Sequence, residues 1–125
     1  MASTQNSRYD DDSAAIIVGT TSASAARVTG FVAQAPTTPG RVLVAAFAGQ
    51  QRTGGYAISI DAVQRDADRL VVRATFIGPP PGALVTQAFT SPAHVVSIAS
   101  TDVAGAREAV LLDGQGTERA RTTLP

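Results

Sequence analysis

The stretch from Gly54 to Ser100 constrains the fold of this chain more than any other part of its sequence. In two segments, Tyr56 to Ala62 and Leu70 to Phe76, every second residue is apolar. This alternation is typical of β-strands with one buried face. A short polar turn separates the two segments, so we predict that they form an antiparallel hairpin.

The same alternation predicts the register of the hairpin. Both apolar faces meet one core only if the numbers of paired residues sum to an even value, as with Ile60 opposite Val72 or Ala74. Such a register leaves an odd loop, most simply of about three residues. A shift by one residue would carry Arg73 into the core, so we expect Arg73 to stay exposed, within reach of Asp61 across the hairpin.

The residues after the hairpin change character. Gly78 to Gly82 reads GPPPG, and its prolines fix φ and remove hydrogen-bond donors, which predicts a stiff, extended crossover. Ala83 to Thr90 is compatible with a short strand or an irregular segment. Ala93 to Ala99 is predicted to be the third strand of the stretch.

The N-terminal half supplies two further strands and a helix. Ala14 to Gly19 is a short apolar run that predicts a buried strand. Thr20 to Ser24 offers capping residues for a helix whose apolar face comprises Ala25, Val28, Phe31, Val32 and Ala35. Arg41 to Gly49 is apolar at both alternating sets of positions, which indicates a central strand buried on both faces.

The length of 125 residues predicts one domain. We assign residues 1–13, with their acidic run Asp10 to Asp12, to a disordered tail, residues 14–113 to the domain and residues 114–125 to a flexible tail. Val103 to Leu112 is predicted to add an edge strand or a short helix. The fold class is α+β: a small antiparallel, sandwich-like sheet structure with one N-terminal helix.

Composition excludes several classes of function. Ten basic residues, all arginine, balance ten acidic ones, which argues against a nucleic-acid-binding protein and against an electrostatic membrane anchor. No apolar run approaches the roughly 20 residues of a membrane span. The first twelve residues contain no apolar segment of a signal peptide. We therefore expect a cell-envelope or extracellular location if an export signal was removed, and a cytoplasmic one otherwise.

No cluster of residues predicts catalysis. The chain has no cysteine and one histidine, His94, whereas a transition-metal site needs several such ligands. Ser91, Ser97 and Asp102 lie near His94 in the sequence, but no nucleophile-elbow pattern surrounds them. We expect a protein that is not an enzyme and uses no cofactor or metal, with His94 a packing or strand-edge residue.

Four residues are the candidates for binding. Thr86 and Gln87 are polar within a mostly apolar segment beside the rigid crossover, and Tyr56 is an aromatic residue at the start of the hairpin. His94 on the third strand is the fourth candidate.

Five motifs in a fixed order carry a resemblance to a known family. They are GGYAISIDAV from Gly54, LVV from Leu70, PPPG from Pro79, VTQA from Val85 and SPAHVVSI from Ser91. Together they resemble the C-terminal domain of the PrcB family, named for a subunit of a bacterial cell-surface protease complex. The resemblance covers roughly Val42 to Ser100 and implies a non-catalytic, exported domain whose namesake associates with a subtilisin-type protease.

The resemblance and the residues together favour a module for protein–protein interaction or assembly. The expected partner is another protein, with a protease as the implied example, and an exposed sheet edge would also allow a homodimer. The alternative is a domain that binds a small ligand or a polysaccharide through Tyr56, Thr86 and Gln87.

Overall fold

The computed structural model of the chain describes residues 2–4, 6–32 and 39–124. These residues form eight strands and two helices. In chain order they are β1 (Ala2–Thr4), β2 (Ala15–Val18), α1 (Ser22–Phe31), β3 (Arg41–Phe47), β4 (Ala57–Asp66), β5 (Arg69–Ile77), β6 (Ala93–Ala99), α2 (Ser100–Val103), β7 (Glu108–Leu112) and β8 (Glu118–Thr123).

The strands form two four-stranded sheets. The first sheet has the order β1-β6-β3-β2 and the second has the order β4-β5-β7-β8. All neighbours are antiparallel except β5 and β7, which are parallel. The α+β class is confirmed in this broad, mostly β form, whereas the sandwich-like arrangement stays a prediction. The expected single helix is joined by a second one of four residues, α2.

Strand β3 is buried on both faces, as its sequence predicts. On one face, Val42, Val44 and Ala46 join a core cluster to which both sheets contribute. On the opposite face, residues 43, 45 and 47 belong to a second cluster together with Val28 and Val32 at the C-terminal end of α1. The near-continuous apolar run exists because the strand has no solvent-facing side.

Helix α1 begins with a capping box. The backbone N–H of Ser24 donates to Thr21 Oγ1 at 3.1 Å, and the N–H of Thr21 donates to Ser24 Oγ at 3.0 Å, which satisfies two groups at the helix start. The predicted helix is confirmed up to Phe31, where α1 ends. The predicted face extended to Ala35, which lies outside the described residues.

The hairpin of β4 and β5 follows the predicted register over half of its length. Ile60 lies opposite Ala74, but beyond Asp61 the register shifts by one residue and Val63 lies opposite Val72. The predicted odd loop is therefore wrong: Asp66 pairs with Arg69, which leaves two loop residues.

A β-bulge at Asp61 is the physical reason for this difference. The extra residue rotates the strand, so that Val63, and not Ala62, packs against the core. The alternation of side chains along β4 does not distinguish a continuous strand from a bulged one. Arg73 is exposed, as expected, but Asp61 Oδ2 accepts a hydrogen bond from Thr75 Oγ1 at 2.6 Å.

Residues 2–4 and 6–13, for which the sequence predicts a disordered tail, pack against the rest of the fold. Strand β1 pairs with β6, and the Tyr9 ring stacks on Phe47 with 4.8 Å between centroids. The same ring meets Phe31 edge to face at 5.5 Å. The prediction missed this packing because one aromatic residue in a polar segment gives no periodic pattern.

Residues 114–124, for which the sequence predicts a flexible tail, are also part of the fold. Strand β8 pairs with β7 and forms the edge of the second sheet, and Leu124 is buried. The Asp113 carboxylate accepts hydrogen bonds from the N–H groups of Gln115 and Thr117 in the connecting turn. The bond from Thr117 contributes most to lowering the pKa of Asp113.

Strand β7 differs from the edge strand or short helix predicted for this region. It lies inside the second sheet, between β5 and β8. Its parallel pairing with β5 needs a long connection, which here contains the whole segment 78–107. Within the described part of the chain, no helix is long and apolar enough to cross a membrane.

Candidate functional site

The crossover loop, defined here as residues 78–90, exposes two large apolar side chains. Leu84 is fully exposed (102%) and Phe89 is 67% exposed. No strand forms between residues 78 and 89, so the irregular alternative for this segment is confirmed. The N–H of Ala83 donates to the carbonyl of Pro80 at 3.1 Å, and Gly82 has a φ of 80°, so a turn places Leu84 just beyond the prolines.

The C-terminal half of the crossover loop is tied to the segment before β4. The N–H of Gly54 donates to the carbonyl of Thr86 at 3.0 Å. Gln51 and Thr90 exchange two backbone hydrogen bonds of 2.7 and 2.9 Å. Thr90 Oγ1 donates to the carbonyl of Thr53 at 2.8 Å. The loop therefore has a defined position although it lacks regular secondary structure.

Two consecutive glycines make this close approach possible. A Cβ atom at Gly54 would lie 2.5 Å from Thr86 Oγ1. Gly55 has a φ of 90°, and a Cβ atom there would lie 2.9 Å from Pro79 Cβ. Because only glycine adopts this backbone conformation without strain, the Gly-Gly pair allows the crossover loop to pack against the start of β4.

A cleft of about 540 Å³ lies next to the loop, and we call it the Tyr56 cleft. Gln51 lines it together with Asp12, Gln50, Arg52, Thr53, Tyr56 and Phe89. Gln51 and Tyr56 also line a smaller neighbouring cavity of about 290 Å³, which reaches Arg119 on β8. The N-terminal segment, the segment before β4 and the crossover loop thus contribute to one depression.

Only one of the four predicted binding residues lines the Tyr56 cleft. Tyr56 does so, whereas Thr86 and Gln87 are exposed on the crossover loop outside the cleft lining. His94 lies on β6, and its side chain accepts a hydrogen bond from a strand of the other sheet. The structure therefore does not bring the four residues together in one site.

Comparison with known proteins gives one match. Residues 42–99 match the model of a protein family described as PrcB C-terminal. This segment, 58 of the 125 residues, is similar to the PrcB C-terminal family, and we call it the PrcB C-terminal segment. Searches of curated proteins and of solved structures found no match to the chain.

The PrcB C-terminal segment has a clear place in the fold. It starts in β3 and ends with β6, so it contains adjacent strands of the first sheet (β3 and β6) and of the second (β4 and β5). It also contains Gly54, Gly55 and the crossover loop. The segments outside the match supply the remaining strands of both sheets, and the N-terminal one adds Asp12 to the Tyr56 cleft.

His94 joins the two sheets within the PrcB C-terminal segment. Its Nδ1 atom accepts a hydrogen bond of 2.8 Å from the N–H of Ile60 on β4, the edge strand of the second sheet. The residue is 8% exposed, and burial lowers the pKa of His94, with the charge of Asp61 opposing the shift. Nδ1 can accept this hydrogen bond only while the imidazole ring is neutral. The contact holds His94 between the two sheets, away from the lining of the Tyr56 cleft.

Among the described residues, no group of three or more His, Asp or Glu side chains is placed to hold a metal ion. The crossover loop offers apolar surface, and the Tyr56 cleft offers aromatic, amide and charged groups for binding.

Sequence reasoning missed the two side chains that dominate the exposed apolar surface. Leu84 and Phe89 lie in a segment without periodicity, and such a segment does not reveal which side chains face solvent. One usable signal was present: Leu84 follows a turn of prolines and glycine, where an apolar residue has no neighbouring strand to cover it.

Proposed function

We propose that this domain is a non-catalytic module for protein–protein association, and that the crossover loop presents Leu84 to the partner protein. The observation that carries this proposal is the complete exposure of Leu84 on an anchored loop. Burial of a leucine side chain contributes about 1.5–3 kcal/mol. Burial of Leu84 by a partner would contribute this amount to the free energy of binding, because the side chain is exposed in the isolated domain.

The anchoring of the loop supports the proposal. Binding by a flexible loop is weakened by the entropy lost when the loop becomes ordered. Here three prolines restrict the first half of the loop, and the hydrogen bonds at Gly54, Thr86 and Thr90 hold the second half. Leu84 is therefore displayed at little further entropic cost, as expected for an anchor residue at the centre of an interface.

The family relationship suggests the kind of partner. The PrcB family takes its name from a subunit of a bacterial cell-surface protease complex, so we propose an exported, subtilisin-type protease as the partner. The proposal includes a location in the cell envelope or outside the cell. Fractionation of cells that express the full-length protein tests this location, and recovery only from the cytoplasm would contradict it.

The direct test is co-purification of the tagged protein from an envelope fraction, followed by binding measurements with the purified partner. Leu84→Ser is expected to weaken binding by about tenfold or more, the effect of losing roughly 1.4 kcal/mol. Ile77→Ser is the matched control, because Ile77 is an exposed apolar side chain outside the loop. It is expected to leave the affinity within about twofold, as for a residue at the rim of an interface.

A second copy of the chain is the other partner that the proposal allows. Light scattering would then show a dimer that Leu84→Ser converts to a monomer. If the unchanged protein is a monomer, thermal unfolding of Leu84→Ser should match that of the unchanged protein, since the side chain is then in solvent. A monomer that recovers no partner, or an affinity unaffected by Leu84→Ser, would contradict the proposed function.

A further inference from the structure

Several polar side chains of the Tyr56 cleft have no hydrogen-bond partner among the residues that the structure describes. Asp12, Gln50, Arg52 and Tyr56 all line the cleft. Their side-chain polar atoms make no hydrogen bond or ion pair within the part of the chain that the structure describes. The other two polar side chains are used locally: Gln51 Nε2 donates to the carbonyl of Gly49 at 3.3 Å, and Thr53 Oγ1 donates to the carbonyl of Gly54 at 3.0 Å.

The walls of the cleft have defined positions. The N–H of Gln50 donates to the carbonyl of Asp11 at 2.8 Å, which places Asp12 beside the segment before β4. Gly49 lies so close to the backbone of Asp12 that a Cβ atom would collide with it. The opposite side is held by the hydrogen bonds between Gln51 and Thr90. The unused polar groups thus belong to a largely preformed depression.

The chemistry of these groups points to an uncharged ligand with many hydroxyl groups. Arg52 supplies only donors and Asp12 only acceptors, while Gln50 and the Tyr56 hydroxyl supply both. The two opposite charges cancel, so the cleft does not favour a charged ligand. Six of the seven lining residues carry a polar or charged side-chain group, whereas a site for an apolar side chain or a drug-like molecule is mostly hydrophobic.

The two aromatic residues fit the same ligand. Tyr56 and Phe89 both line the cleft, and Phe89 is largely exposed. The face of an aromatic ring is electronegative and attracts the electropositive C–H groups of a sugar ring. The volume of about 540 Å³ lies within the range of small-ligand sites, roughly 300–1,000 Å³.

We propose that the Tyr56 cleft binds a short, neutral saccharide, with the sugar rings against Tyr56 and Phe89 and their hydroxyl groups hydrogen-bonded to Asp12, Gln50 and Arg52. This is a separate activity from protein association through Leu84. It would allow the domain to hold a glycan of the cell surface while the crossover loop contacts a protein.

The test is a titration of the isotope-labelled protein with maltotriose, cellotriose and triacetylchitotriose, followed by NMR. We expect at least one of them to shift the amide signals of residues 50–56 and 89 with saturation, at a dissociation constant of about 1 mM or tighter. Gln50→Ala and Tyr56→Phe each remove one hydrogen-bonding group without removing an aromatic ring. Each is expected to weaken binding by about three- to tenfold, as for a net hydrogen-bond loss of roughly 1 kcal/mol.

Leu84→Ser separates this proposal from the proposed function. The variant should lose protein association and keep the saccharide titration, whereas Gln50→Ala should do the opposite. The saccharide proposal is overturned if none of the three sugars shifts these signals at about 20 mM, well above the expected dissociation constant. It is also overturned if the shifts persist unchanged in both cleft variants, or if an extended peptide saturates the same signals where the sugars do not.

Discussion

The two sheets of this protein differ in how many of their faces are covered. In the first sheet, β3 packs against the second sheet on one side and against α1 and Tyr9 on the other. In the second sheet, β5 buries one face, while Arg69, Arg73 and Thr75 on its other face are exposed. The sequence reflects this difference directly, since β3 is a near-continuous apolar run and β5 alternates.

The comparison teaches that apolar periodicity reports the number of buried faces but does not identify what covers them. Val71 and Val110 illustrate the limit. They are register partners on the open face of the second sheet, yet both are buried. Their neighbours on this face include Arg69, Arg73 and Arg121, whose aliphatic stems can cover apolar surface while their charges remain in water.

The largest expected effect comes from opening the doubly covered face of β3. Phe47 is fully buried between Tyr9 and Phe31, so Phe47→Ala should lower the free energy of unfolding by about 3–5 kcal/mol. Urea denaturation measures this change, and Phe47→Leu provides a milder variant if the alanine protein does not fold. Phe76 in the second sheet is only partly buried, so an equal loss in Phe76→Ala would contradict the comparison.

The next prediction concerns residues 6–13, which cover one face of the first sheet. Gly49 has a φ of 91° and lies against the Asp12 backbone, so Gly49→Ala should destabilise the protein by about 1–3 kcal/mol. Residues 6–13 should at the same time lose protection in hydrogen exchange. Gly30→Ala is the control: the site in α1 has free space, and alanine should stabilise the helix by up to about 1 kcal/mol. Unchanged protection of residues 6–13 in Gly49→Ala would show that their packing does not depend on Gly49.

The hydrogen bond between His94 and Ile60, which joins the two sheets, predicts that the free energy of unfolding depends on pH. Burial holds the pKa of His94 below its ordinary value of 6.5, so the unfolded chain binds the proton more readily than the folded protein. The contribution of neutral His94 to the free energy of unfolding is therefore fully present above pH 6.5. It is lost as the pH decreases from 6.5 towards the folded-state pKa. His94→Gln should remove this component from denaturation curves measured across that window. An identical pH profile in the variant would assign the acid sensitivity to other groups.

The smallest expected effect concerns the open face of the second sheet. Arg69 Nε lies 2.8 Å from Glu108 Oε1, and both side chains are partly exposed. Arg69→Gln should change the free energy of unfolding by less than about 1 kcal/mol, and the difference should shrink at high salt. A loss comparable with that of Phe47→Ala would mean that the open face is covered by a structure other than solvent.

The candidate site could be predicted only in part. Tyr56 was identified from the sequence, but Leu84, Phe89, Gln50 and Arg52 were not. These residues form one surface because segments 50–54 and 86–90 lie side by side, held by hydrogen bonds between backbone groups far apart in the chain. Backbone groups carry no sequence-specific pattern, so this pairing has no signature beyond the two glycines that permit it.

The sequence by itself determined the local features of the fold: the buried run of β3, the cap and apolar face of α1, the two alternating strands of the hairpin and the exposure of Arg73. These follow from periodicity and from the conformational preferences of single residues. The tertiary structure alone decided the bulge at Asp61, the parallel pairing of β5 with β7, and the docking of both terminal segments. Each of these depends on which distant surface is available to pack against, and local patterns do not encode that choice.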